Sequence, residues 1–240
     1  MIIAEIGLNH LGSEKNAYYL LESLLKLEIE AITFQIREKA FYDGSKPHKI
    51  PLPEEFYSKT VKLCKKHHKK IGIAISDINM VDFFNELDID FWKTLSWDIL
   101  NYELQNKLQK TNKLVFLSTG ISDYDDIITA NNHFSNCCFI HTQLTHSINE
   151  ANLKAIQLMK KYTGKNIAYG LHCNNSNVLY ACISYEPSDI FFYVKPNESE
   201  KYPDDSHAIL LDNVNAIVQN IKLIQTSLGD GKKIKMVKNL

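Results

Sequence analysis

Ile2-Ile3-Ala4-Glu5-Ile6-Gly7-Leu8-Asn9-His10-Leu11-Gly12 opens the chain as an apolar run that carries one acid and breaks at a glycine. It ends in a polar turn, just before the helical spacing of Tyr18, Leu21, Leu24 and Leu25. A short buried strand that runs through a polar turn into a helix is the repeating unit of an α/β fold.

Further strand-like runs follow at Ala31–Ile36, Ile71–Ile75, Phe91–Leu95, Leu114–Leu117, Cys138–His141, Ile167–Gly170 and Ile190–Val194. Helical patterns lie between them: Ser13–Leu27, Pro53–His68, Met80–Leu87, Tyr102–Gln109, Asp123–Asn132, Asn152–Lys161, Ser176–Tyr185 and Leu210–Leu228. Pro53-Glu54-Glu55 is a helix start, and Gly229 after Leu228 is a helix stop. The strands are near-continuous apolar runs, as strands buried on both faces are. Strand–helix units of about 30 residues predict an α/β single domain, a (β/α)8 TIM barrel over residues 1–231, followed by a short basic tail over 232–240. An open doubly wound sheet is the alternative. It usually carries a glycine-rich phosphate loop, and the nine glycines here form no such pattern.

The 240 residues carry a net charge of −1, so the chain lacks the basic excess that nucleic acid demands. The run Lys65-Lys66-His67-His68-Lys69-Lys70 reads as a solvated helix end. No apolar stretch approaches the roughly 20 residues of a membrane span. The five cysteines form no C-x-x-C pair and no signal peptide is visible, so a reducing, cytoplasmic location is expected.

In a barrel the active site lies at the C-terminal ends of the strands. Those ends carry Glu5 with Asn9 and His10, Gln35, Ser76-Asp77, Lys93 with Ser96 and Asp98, Ser118-Thr119, His141 with Gln143, His172, and Lys195.

These residues resemble the sialic acid synthase family (N-acetylneuraminate synthase, NeuB-like). Ile3-Ala4-Glu5-Ile6-Gly7-x-Asn9-His10-x-Gly12 is similar to the family's first-strand signature. Phe34-Gln35, Val81-Asp82-Phe83-Phe84, Trp92-Lys93-x-x-Ser96-x-Asp98-x-x-Asn101 and Leu117-Ser118-Thr119-Gly120 follow in order. So do His141, Asn152-Leu153-x-Ala155-Ile156, Tyr169-x-x-His172 and Leu228-Gly229-Asp230-Gly231-Lys232. The resemblance implies an enzyme that condenses phosphoenolpyruvate with a sugar aldehyde in nonulosonic acid or surface-polysaccharide biosynthesis. It implies that Glu5, Asp98 and Lys93 are catalytic, and that Asn9, Gln35, Ser96, Ser118, Gln143 and His141 bind substrate. It also implies a divalent metal (Mn or Mg) on His172, and a homodimer or a separate lid protein, because no antifreeze-like C-terminal domain is expected.

The departures from the family pattern bear on the metal. Thr33 stands in place of a lysine, and Gly170 in place of a serine. Phe192-Tyr193-Val194 replaces the stretch that brings a second metal-binding histidine. Trp97 replaces a glycine and is expected to fill the mouth, while Phe191-Phe192-Tyr193 reads as barrel packing. Pro203-Asp204-Asp205-Ser206-His207-Ala208 resembles a degraded family loop whose His207 could reach the mouth. A lone imidazole holds a labile divalent ion poorly, unless His141 and His172 face each other on neighbouring strands. Two alternatives therefore stand beside the synthase reading. One is a related barrel with metal-independent chemistry, Lys93 or Lys195 acting as an amine nucleophile. The other is a non-catalytic partner of an active synthase or glycosyltransferase.

Overall fold

The computed structural model describes residues 1–233, so most of the expected basic tail lies outside the described residues. Strands and helices alternate in the expected order: β1 Ile2–Gly7, α1 Glu14–Leu25, β2 Ala31–Ile36, α2 Glu54–Lys66, β3 Lys70–Ile75, α3 Val81–Glu86, β4 Phe91–Thr94 and α4 Tyr102–Gln109. Then come β5 Leu114–Ser118, α5 Tyr124–His133, β6 Cys137–His141, α6 Ala155–Thr163, β7 Ile167–Leu171, α7 Asn177–Cys182, β8 Ile190–Lys195, the short β9 Ile209–Leu210, and α8 Leu211–Leu228. From β1 to β8 each strand pairs in parallel with the next, and β8 pairs back onto β1 with Tyr193 opposite Glu5. The sheet closes on itself as a (β/α)8 barrel in one domain.

Local chemistry sets the helix starts. Ser13 accepts from the Asn16 N–H ahead of α1, Asn101 from the Leu104 N–H ahead of α4, and Asp123 forms a reciprocal capping box with Asp126 ahead of α5. In α2, acids in the first turn and lysines in the last complement the helix dipole. Two helices start or break differently from their periodicity. α6 begins at Ala155 because Asn152 takes a positive φ of 41° after a 3-10 turn over Ile148–Glu150. The run after Ser176 splits into α7 and a 3-10 turn over Ile183–Tyr185.

The barrel interior is layered. Its lower half is an apolar plug of Ile3, Ala31, Phe91, Phe116, Cys138, Ile140, Ala168 and Phe191. Phe116 meets Phe91 and Phe191 edge-on, with ring centres 5.3 and 5.0 Å away. One strand step higher the interior turns polar, with Glu5, Thr33, Lys93 and Ser118 all buried. The outer faces of the strands join the helices in the main core.

Candidate active site

The upper layer is organised by an ion pair. Lys93 Nζ on β4 donates to Glu5 Oε2 on β1 at 2.5 Å, across the barrel. Thr33 Oγ1 donates to the same carboxylate oxygen at 3.4 Å. The ammonium also lies 5.3 Å from the Tyr193 ring and 5.5 Å from that of Phe191.

At the ends of β4 and β5, Ser96 Oγ and Ser118 Oγ stand 3.1 Å apart, and the Gly120 N–H donates to Ser96 Oγ at 3.1 Å. A Cβ at position 120 would sit 2.7 Å from Ser96 Oγ, so a glycine keeps this N–H close to the hydroxyls. Two hydroxyls and a backbone donor at the strand ends, on a barrel that also holds a buried ammonium, form a suitable cradle for a phosphorylated anion.

Asp98 occupies a separate position on the rim. Its carboxylate accepts from Ser76 Oγ at 2.7 Å and Asn101 Nδ2 at 3.0 Å. Burial raises its pKa above the ordinary carboxylate value, and those two hydrogen bonds oppose the rise. Trp97 does not fill the mouth. It lies half exposed on the rim, with the Arg37 guanidinium 4.8 Å from its ring.

The opening motif holds the far wall of the site. Asn9 Nδ2 donates to the Val194 carbonyl at 2.8 Å, and Asn9 Oδ1 accepts from the Asp204 N–H at 3.3 Å. Asn9 thus ties β8 to the segment that follows it. Gly7 has a φ of +57°, and a Cβ there would lie 2.6 Å from Tyr193 and 3.1 Å from Asp204 Oδ2. The glycine makes room for the Asp204 carboxyl. That side chain keeps 18% exposure. Desolvation, aided by the Glu5 charge and opposed by Lys93, pushes its pKa up to about 7. His10 holds the turn rather than the site, its Nδ1 accepting from the Gly12 N–H at 3.0 Å.

Sequence reasoning passed over Asp204 and Tyr193. Phe191 packs in the plug as expected, but Tyr193, two residues on, shares its inward face and borders Lys93, His172 and His207. Strand parity carried that signal. For Asp204 the signal was the similarity of its loop to a family motif, from which only His207 was read.

Two expected binding residues lie elsewhere. Ile140 points into the plug, so His141 points outward, where its Nε2 donates to the Ala151 carbonyl at 2.9 Å. His141 and Gln143 line a cleft with Tyr124, Ala155 and Met159, outside the barrel mouth. His141 therefore does not face His172. Gln35, on the inward face of β2, is buried. Lys195 is held by Asp205, its Nζ donating to Oδ1 at 2.7 Å.

His172 finds other imidazoles rather than a metal-ligand set. Its ring stacks on His207 at 4.3 Å and 23°, and His207 in turn stacks on His146 at 5.3 Å and 15°. His146 Nδ1 donates to the His172 carbonyl at 2.9 Å. Burial holds His172 and His207 neutral, His207 down to about 3, and the neighbouring Lys93 lowers both further. Parallel rings in van der Waals contact do not converge their nitrogens on one point, and Tyr193 and Val194 supply no ligand from β8. Among the described residues no group of three His, Cys, Asp or Glu side chains is placed to hold an ion. The donor set does not fit a resident divalent metal.

The chain is similar to known proteins along nearly its whole length. It is 26% identical to the N,N'-diacetyllegionaminic acid synthase of Campylobacter jejuni over 262 residues, covering 97% of this chain and 78% of that one. It is 23% identical to the N-acetylneuraminate-9-phosphate synthase of Mus musculus, covering 97% and 72%. Its fold superposes on the sialic acid synthetase of Leptospira borgpetersenii with a TM-score of 0.89 at 22% identity, over 98% of this chain and 87% of that one. The family model described as the NeuB family matches residues 17–233, and the chain belongs to that family.

Proposed function

We propose that this barrel condenses phosphoenolpyruvate with a sugar aldehyde, as a synthase of nonulosonic acid or surface-polysaccharide biosynthesis that uses no resident metal. The observation that carries this reading is a buried Lys93 ammonium inside the barrel together with the Ser96, Ser118 and Gly120 donors at the ends of β4 and β5. Lys93 would hold the anionic enol ester, the hydroxyls and the N–H would bind its phosphate, and Glu5 would fix the ammonium in place. Asp98, Gln35 and the Trp97 rim would meet the sugar.

Lys93 is a poor candidate for an amine nucleophile. A Schiff-base lysine needs a free amine, and the Lys93 nitrogen is committed to Glu5 Oε2. The purified protein, incubated with phosphoenolpyruvate and a panel of aldoses that includes N-acetylmannosamine, should release inorganic phosphate only when an aldehyde is present. Release that is unchanged without aldehyde, or absent across the panel, would refute the reading.

A further inference from the structure

The segment between β8 and β9 places a carboxyl in the reaction centre that the roles proposed above leave unused. Asp204 lies over Gly7, where any other residue would carry a Cβ 3.1 Å from its Oδ2. Its backbone is fixed by Asn9, which is itself anchored to β8. The groups that face it are Glu5 from β1, Lys93 from β4, Tyr193 from β8 and His207 from its own loop. His172 from β7 lies one imidazole further, stacked on His207. His207 Nε2 has no hydrogen-bond partner and lies 3.8 Å from Asp204 Oδ1. Among the described residues, Glu5 accepts from Lys93 and Thr33 through Oε2, whereas no hydrogen bond reaches the Asp204 carboxyl. Asp204 is therefore the carboxyl of this layer left free to exchange a proton.

Resting on the condensation proposed above, we infer that Asp204 is the proton carrier of the reaction, protonating the aldehyde oxygen as the carbon–carbon bond forms. The methylene carbon of phosphoenolpyruvate attacks the aldehyde carbon, the carbonyl π bond breaks, and its oxygen takes the Asp204 proton to become a hydroxyl. Water adds to the oxocarbenium carbon left at C2 and gives one proton to the Asp204 carboxylate, which restores the acid. The remaining hydroxyl proton leaves with the phosphate as the C2–O(P) bond breaks and the keto acid forms. No oxidant or metal enters. A carboxyl held half protonated near neutrality can act in both directions.

The test compares wild type with Asp204→Asn and Asp204→Glu. Asp204→Asn should lose about 10²- to 10⁴-fold in kcat, while calorimetric affinity for phosphoenolpyruvate stays within about threefold. Asp204→Glu should recover part of the rate. Wild-type kcat should fall as pH rises through about 7, and the residual rate of Asp204→Asn should lack that limb. A rate within about threefold of wild type, or an unchanged limb, overturns the assignment. A carbon-13 titration of the aspartate carboxyls needs no substrate. One resonance should titrate near neutrality and vanish in Asp204→Asn, and its absence overturns the assignment whatever the activity. A wild type that shows the resonance yet turns over no aldehyde overturns the condensation, and the assigned step with it.

Discussion

The Glu5 carboxylate and the Lys93 ammonium meet at 2.5 Å inside the barrel, and neither side chain is more than 4% exposed. A buried pair of this kind adds little net stability, but removing one partner strands the other charge at a cost of about 3–5 kcal/mol. Lys93→Met should lower the urea midpoint by that order. The double variant Glu5→Gln/Lys93→Met should regain most of the stability and release no phosphate. If the double variant is as unstable as the single one, the pair is not the cause of the loss.

Gly7→Ala tests the seat of Asp204. It combines a positive φ with a Cβ 2.6 Å from Tyr193, so a loss of about 1–3 kcal/mol is expected. Tyr193→Ala in the same chain should return part of it. Thermal melts of the two variants check the expectation, and equal melts for Gly7→Ala and wild type would contradict it.

Ser96→Ala and Ser118→Ala each remove one hydroxyl from the cradle. Either should raise KM for phosphoenolpyruvate about 5- to 100-fold, with a smaller effect on the sugar's KM. Steady-state kinetics with each substrate varied in turn would show the split. An effect confined to the sugar would move the phosphate elsewhere.

Stability should rise from acid pH and level off near neutrality. His207, His10 and His172 are held neutral in the fold, with pKa values near 3, near 4 and well below 6.5 respectively. Unfolded, each binds a proton near pH 6.5, so the unfolded chain gains protons first and stability falls as pH drops from 6.5 toward 4. Asp204 acts in the opposite sense. Its folded pKa of about 7 exceeds the unfolded 3.8, so its contribution is whole at low pH and is lost as pH rises through 7. Three histidines outweigh one carboxyl between pH 4 and 6.5, and well above pH 7 all four groups are deprotonated in both states, so their slopes vanish. Urea midpoints should therefore rise from pH 4.5 to about 7 and stay level from there to pH 8. His207→Gln should flatten the acid side by up to about 1.4 kcal/mol per pH unit.

Residues that act along their own strand were readable in the sequence. The apolar strands, the helical spacing between them and the helix ends at Pro53 and Gly229 report local rules, and together they disclosed the barrel. Glu5, Lys93 and Ser118 could be read because a polar side chain at an inward position of an apolar strand has few other places to go. His141 was misplaced by strand parity, since one residue's shift moves a side chain from the mouth to the helical layer. Trp97 was misread because nothing local tells an inward aromatic from one lying on the rim under an arginine. Asp204 sits in a segment with no periodicity, and its position is set by a Gly7 cleft and an Asn9 side chain nearly 200 residues away in the chain. Contacts between side chain and backbone over that span leave no local trace.

The pairing of β1 with β8 has a kinetic side. The N-terminal ammonium bonds to Asp189 across 188 residues of sequence, and Asn9 reaches Asp204 across 195. These seams cannot form until the last strand has left the ribosome, and long-range parallel pairing is slow. They are also the contacts that bring Asp204 to Gly7. Recovery of activity during refolding should therefore lag behind recovery of helical signal, and a chain cut before residue 204 should keep helices but no turnover. Catalytic competence and ring closure then become one event, and enzyme assays can time the end of folding.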